Sequence, residues 1–273
     1  MPALDRSQPT VPCNARRVLI VDDNPINRKV AQLMLQRVGI ECSSATNGIE
    51  ALAYVMESNF ALVLMDCHMA VSDGFEATAA IRRWEREQLR RPVPIVAYSA
   101  STSREDRQRC AAAGMDDFLA KPVTTASLTA IVAKWLSSTE ADADLVNAQA
   151  GVSQVQTGTL DENFDAAQLA EMRDIAGARF GECIDQFEAG IAAALLLLQE
   201  ALFASDRNLL RQTAHQLKGS AATLGAITVA HYAFELERRA EEDHLEGSWE
   251  PYTALAAACS SALSILRTLP RSF

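Results

Sequence analysis

Residues 16–25 read RRVLIVDDNP: four apolar side chains in a row, two aspartates, then Asn-Pro. An uninterrupted apolar run of this length bounded by charge predicts a strand buried on both faces. Asn24 and Pro25 supply an N-cap and a first-turn proline, so a helix should begin where the aspartates end. A strand that passes straight into a helix is one β/α unit, and the rest of the N-terminal half repeats it.

ECSSATNG (41–48) reads as a short strand and turn, IEALAYVMES (49–58) as a helix, FALVLMDC (60–67) as a strand and SDGFEATAAIRRWEREQLR (72–90) as a helix. VPIVAYSAS (93–101), REDRQRCAAAG (104–114), DDFLAKPV (116–123) and TASLTAIVAKWLSS (125–138) continue the alternation. Five repeats over residues 16–136 predict an α/β doubly wound domain with a parallel five-stranded sheet. In such sheets the chemistry lies beyond the carboxyl ends of the strands. Residues 1–15 read as a polar disordered tail, and residues 137–162, small, polar and aperiodic, as a flexible linker. From Phe164 the pattern is helical, with segments at about 166–175, 179–204, 206–226, 228–244 and 250–268. An all-α four-helix bundle with a short leading helix is expected over residues 163–270.

The chain has 273 residues, 49% of them apolar, and a formal net charge of −10. Residues 16–136 are nearly balanced, with 15 Lys and Arg against 14 Asp and Glu, whereas residues 137–273 hold 9 against 20. No basic stripe stands ready to neutralise phosphates, so no nucleic-acid partner is expected. Six scattered cysteines form no C-x-x-C pair and no zinc-spaced cluster, which predicts reduced thiols. The N-terminus lacks an apolar targeting region, and the longest apolar run, IAAALLLL (191–198), is too short to span a bilayer. A cytoplasmic protein with no membrane partner is expected.

At the carboxyl ends of the predicted strands stand Asp22 and Asp23 after the first, Asp66 after the third and Ser99 after the fourth, with Lys121 within the fifth. Three convergent carboxylates repel one another unless a cation joins them, and hard oxygen ligands with open positions suit Mg²⁺. A lysine and a hydroxyl beside them suit the oxygens of a phosphoryl group in transfer. An aspartate there can be the nucleophile and form an acyl phosphate. Any one of these aspartates could simply cap the following helix, but capping leaves the Lys-Pro of the fifth strand unexplained.

VLIVDDNPINRKVA, LMDCHMAVSDGFEAT, PIVAYSAS and DDFLAKP, in this order, resemble the two-component receiver domain, whose fold is flavodoxin-like. The resemblance implies that Asp66 is the phosphoacceptor, that Asp22, Asp23, Asp66 and the backbone carbonyl of His68 hold Mg²⁺, and that Ser99 and Lys121 attend the phosphoryl group. It places Phe118 at an aromatic switch position. Ala70 departs from the family's usual proline. The ring of His68 is expected to be solvent-exposed, with only its carbonyl in use.

In the second domain, Leu210, Ala214, Leu217, Ala221 and Leu224 recur at spacings of four and three and form the buried stripe of one helix. His215 falls on the flank, with Lys218 and Gly219. A helical glycine costs roughly 1 kcal/mol relative to alanine, so Gly219, one turn beyond His215, calls for a reason. Clearance for a group approaching the imidazole supplies one, and Lys218 could neutralise a phosphoryl oxygen. HQLKGSAATLGA resembles the histidine-containing phosphotransfer domain, which implies that His215 is a phosphoryl carrier. Thr223 stands where that family often has asparagine. His231, His244 and the run ERRAEED (237–243) read as ordinary solvated surface.

These features predict a phosphorelay protein in which Asp66 accepts a phosphoryl group from an upstream sensor histidine kinase and exchanges it with His215, which passes it to or from another receiver. No Gly-rich phosphate loop is present, and nothing resembles the ATP-binding domain of a kinase. The pairing resembles the C-terminal part of hybrid sensor kinases. Two other classes stay open: a receiver that acts as a phosphorylation-regulated docking module, and a Mg²⁺-dependent aspartyl phosphohydrolase, although VDDNP lacks the D-x-D spacing of the haloacid dehalogenase type. A flexible linker of about 25 residues spans roughly 25–30 Å, enough for both sites of one chain to meet.

Overall fold

The computed structural model describes residues 17–69, 73–99, 104–136, 163–242 and 244–270. The tail expected at 1–15, the linker at 137–162 and Ala70 lie outside them. The opening apolar run forms β1 (Arg17–Val21), and Asn24 caps α1 (Pro25–Arg37) by accepting from the N–H groups of Ile26 and Asn27. The chain continues through β2 (Glu41–Ala45), α2 (Gly48–Glu57), β3 (Leu62–Asp66), α3 (Gly74–Glu87), β4 (Ile95–Ser99), α4 (Arg104–Ala113), β5 (Asp117–Ala120) and α5 (Thr125–Leu136). All five strands are parallel, in the order β2-β1-β3-β4-β5. The strand order reverses between β1 and β3, and a crevice at such a reversal is where doubly wound sheets bind ligands.

Strand alternation builds two apolar layers. Leu19, Val21, Val63, Met65 and Ile95 pack with Val55, Phe75 and Ile81 on one face. Val18, Ile20, Leu62, Leu64 and Val96 face the other way, towards Val30, Met34 and Leu128. The register pairs Val21 with Met65, Asp66 with Tyr98 and Ser99 with Ala120, so the ends of β1, β3, β4 and β5 share one edge. Lys121 lies just past β5 rather than within it, because that strand ends at Ala120.

The second domain contains α6 (Ala166–Ala176), a 3₁₀ turn at Gly177–Arg179, α7 (Phe180–Ala204), α8 (Arg207–Thr223), α9 (Ile227–Glu241) and α10 (Trp249–Thr268). Asp165 caps α6 by accepting from the N–H groups of Ala167 and Gln168, and Asp206 caps α8 by accepting from that of Leu209. The stripe Leu210, Ala214, Leu217, Ala221 and Leu224 is buried throughout, against Phe187, Leu236 and Leu266. Residues Ala166–Ala204 together are long and apolar enough to cross a membrane by length and composition, although no single apolar run in the sequence suggests it. Phe180, Ile184, Phe187, Ile191 and Leu198 of that run are buried in the bundle core.

The two domains are packed together. Helix α1 lies against α6, α7 and α8, and the apolar layer on the α1 and α5 side of the sheet is continuous with the bundle core. Glu171 of α6 accepts from the backbone N–H of Thr125 at 2.8 Å, which ties the first turn of α5 to the other domain. Ion pairs Lys29–Glu182 and Arg37–Asp174 flank the contact.

Candidate functional site

The acidic pocket is built by strand ends. Carboxylate oxygens of Asp22, Asp23 and Asp66 lie within 4.8 Å of one another. Asp22 is fully buried and Asp66 nearly so. Lys121 Nζ donates to Asp22 Oδ2 and Asp66 Oδ2, each at 2.7 Å, and lies 4.3 Å from the centre of the Tyr98 ring. Burial pushes the Asp22 carboxyl up to about 6, and the neighbouring Asp66 adds to the rise, with Lys121 offsetting only part of it. Burial disfavours the Lys121 ammonium too, but Asp22 and Asp66 outweigh it and raise its pKa. Lys121 thus pairs with two of the three carboxylates, and the Arg28 guanidinium donates to the Asp22 backbone carbonyl at 2.6 Å beside them.

Ser99 is buried at the end of β4, and its carbonyl accepts from the Lys121 N–H at 2.8 Å. Gly74, at the start of α3, is held against the end of β3: a Cβ there would lie 2.0 Å from the Asp66 carbonyl oxygen. Phe118 is half-buried, with the Arg107 guanidinium 4.7 Å from its ring centre. The His68 N–H donates to Asp66 Oδ1 at 3.1 Å. Its ring is not the free surface group expected. It packs edge-on between Phe75 and His215, with centroids 5.9 and 5.6 Å away. Burial lowers its pKa, and His215 lowers it further.

His215 is set by a residue that sequence reading assigned to solvent. Glu237, the first residue of ERRAEED, is buried on α9, with Oε1 2.5 Å from His215 Nδ1 and Oε2 2.5 Å from Lys218 Nζ. The four- and three-residue spacing of Val229, Ala233, Leu236 and Ala240 places Glu237 on the edge of the buried face of α9, whereas the charge run masked that periodicity. Burial alone would raise the Glu237 pKa, but the hydrogen bond and charge of His215, together with Lys218, hold it below the ordinary carboxylate value. An ionised Glu237 favours a proton on Nδ1, and in the neutral ring that tautomer has its free lone pair on Nε2. Lys218 is therefore committed to Glu237 here rather than standing free for a phosphoryl oxygen.

The docked bundle brings His215 to the pocket mouth. Gln216 Nε2 donates to Asp23 Oδ2 at 2.9 Å, and the His68 ring bridges from the Asp66 loop to the His215 ring. Gly219 gives its clearance to a different neighbour from the one expected. A Cβ there would meet Asn27 Nδ2 at 3.3 Å and Asn24 Nδ2 at 3.7 Å. The missing side chain admits the first turn of α1. Among the described residues, His231 and His244 are exposed, as expected.

Residues 18–133 match the family model of the response regulator receiver domain, and residues 182–265 match that of the Hpt domain. The chain is similar to the sensor histidine kinase GacS of Pseudomonas protegens, with 31% identity over 228 residues, covering 82% of this chain and 24% of that protein. It is also similar to the sensor protein GacS of Pseudomonas syringae pv. syringae, with 40% identity over 127 residues, covering 46% and 14%. The chain thus spans about a quarter or less of the length of these curated relatives. Among solved structures it is similar to the receiver domain of the sensor histidine kinase PA1611 from Pseudomonas aeruginosa PAO1, at 37% identity over 44% of this chain and 97% of that one, with a TM-score of 0.41.

Two outcomes follow from this geometry. A carboxyl whose folded pKa is depressed contributes stability above its unfolded value, 4.5 for Glu237, and loses it as pH falls through the folded value. Glu237→Gln should therefore lower the unfolding free energy near about pH 7 and by less near about pH 3. Urea-unfolding curves of the two proteins should converge on acidification, and curves that stay parallel would contradict the ion pair. Gly219→Leu should favour the helix by up to about 1 kcal/mol yet push α1 away, seen as an increased radius of gyration in small-angle scattering. An unchanged radius would show that the position is not a docking contact.

Proposed function

Because the chain joins a receiver domain to an Hpt domain, we propose that it is a phosphorelay protein in which Asp66 and His215 exchange one phosphoryl group. The single observation that carries this reading is the seating of His215, oriented by Glu237, at the mouth of the pocket that contains Asp66. In the forward step a carboxylate oxygen of Asp66 attacks the phosphorus of phosphohistidine. The P–O bond forms as the P–N bond breaks, and the electron pair returns to the imidazole nitrogen. In this reading Lys121 neutralises charge on the phosphoryl oxygens, and the Ser99 hydroxyl bonds one of them. Glu237 keeps the Nδ1 proton in place, so that the other nitrogen carries the group in both directions.

The residues present fit a divalent cation of the magnesium type. Three clustered carboxylates, two of them buried, offer hard oxygen ligands. Asp22, Asp23, Asp66 and the His68 carbonyl would hold the ion. When bound, it would neutralise phosphoryl oxygens that Lys121 alone cannot serve.

The phosphoryl donor in this reading is a sensor histidine kinase, and a further receiver takes the group from His215 or returns it. A cytoplasmic setting belongs to the same proposal, supported by five free cysteines among the described residues. With acetyl phosphate as donor, Asp66→Asn should abolish acid-stable, base-labile labelling, since an amide forms no acyl phosphate, and Asp23→Asn should reduce it severely. Undiminished labelling in the Asp66 variant would remove it as acceptor. Steady turnover of small phosphate esters would indicate a hydrolase instead, and an Asp66 that labels while His215 never does would indicate a docking module.

A further inference from the structure

We propose, resting on the metal reading of the acid pocket, that Gln216 of the bundle is a positioning residue for the receiver's divalent-cation site, which reaches full affinity only while the bundle is docked. The three carboxylates are not held alike. Asp22 Oδ1 accepts from the Asn24 N–H at 2.8 Å and Oδ2 from Lys121 at 2.7 Å. Asp66 Oδ1 accepts from the His68 N–H at 3.1 Å and Oδ2 from Lys121 at 2.7 Å. All of these donors belong to the receiver domain. Asp23 is half-buried, and its Oδ2 accepts from Gln216 Nε2 at 2.9 Å, a donor that the other domain brings.

Gln216 is held at both ends by consecutive residues of the receiver. Its backbone carbonyl accepts from Asn24 Nδ2 at 2.8 Å, while its side-chain amide reaches Asp23. A side chain fixed in this way has already lost its rotamer freedom. Mg²⁺ demands near-ideal octahedral placement of its ligands, so a carboxylate ordered in advance gives up less freedom on binding than one that must be ordered at that moment. Donors behind metal-ligating carboxylates act in this manner, and removing one weakens metal affinity roughly 10- to 100-fold. A glutamine amide suits the task because it is a neutral donor. It fixes Asp23 without adding positive charge, whereas a lysine or arginine there would repel the cation as it fixed the ligand. Since Gln216 follows His215 directly on α8, the helix that seats the histidine also orders the third carboxylate. By reciprocity, the factor that docking adds to cation affinity is the factor by which the cation favours docking.

The test is Mn²⁺ binding to the full chain, with no phosphoryl donor present. Mn²⁺ takes the same hard oxygen ligands as Mg²⁺, and the electron paramagnetic resonance signal of the free ion reports how much is bound. Gln216→Met keeps the side-chain length, the helix propensity and the backbone carbonyl that Asn24 holds, and removes the donor. It should weaken Mn²⁺ binding roughly tenfold, the lower end of the range for such donors. Asp23→Asn should weaken it at least as much, and Gln216→Met should then add nothing, because the carboxylate that it orders is gone. A general loosening of the docked bundle would instead repeat its full loss on top of Asp23→Asn. Unchanged or tighter binding in Gln216→Met, or a loss that repeats in full on top of Asp23→Asn, overturns the inference while the metal site stands. Mn²⁺ binding that is indifferent to Asp23→Asn would overturn the metal reading itself, and this inference with it.

Discussion

Asn24 belongs to two domains at once. Its side-chain oxygen starts α1, and its side-chain nitrogen holds α8. Asn24 follows the two aspartates that come after β1, so the groups that form the acid pocket and the groups that seat the bundle are consecutive in the chain. The consequence is geometric. A bundle held by Asn24 cannot be far from Asp22 and Asp23, and Gln216 reaches Asp23 directly. His215, one residue before Gln216 on the same helix, is delivered to the pocket by the contact that docks the domain.

Charge explains why the contact is useful. The pocket gathers three carboxylates, two of them paired with Lys121, and burial of Asp22 and Asp66 removes the water that would otherwise screen them. Such a site favours a cation, and a cation held there would let it accept the oxygens of a phosphoryl group. On the bundle side the balance is reversed: Glu237 is matched by Lys218 and by the imidazole. A satisfied Glu237 fixes the ring without competing for the phosphoryl group. The two halves are thus complementary in function, one suited to a cation and the other already neutralised.

Much of this was legible in the sequence. The strand ends converge because apolar runs and helix starts alternate so regularly, and the acid pocket is read directly from Asp22, Asp23, Asp66 and Lys121. The buried stripe of α8 was legible from its spacing, which left His215 on the flank. Glu237 was not, because it sits among charges and its burial depends on the packing of α9 against α8. The His68 ring likewise takes its place between Phe75 and a neighbour in the other domain, His215. Gly219 was flagged by its cost to the helix, but what it makes room for is visible only once α1 is docked. Local pattern encodes the elements, whereas the partners of polar side chains across domains are properties of the assembled molecule.

The central claim is that the two domains of one chain serve each other, and the concentration dependence of transfer tests it most directly. Asp66 is labelled in the intact protein, the sample is diluted over a wide range, and conversion of base-labile acyl phosphate into acid-labile phosphohistidine is followed in time. Docking within the chain predicts a first-order rate constant that does not change with dilution, because the effective concentration of His215 is set by the chain itself. A rate constant that falls in proportion to protein concentration would contradict it and would mean that each Asp66 serves the histidine of another molecule.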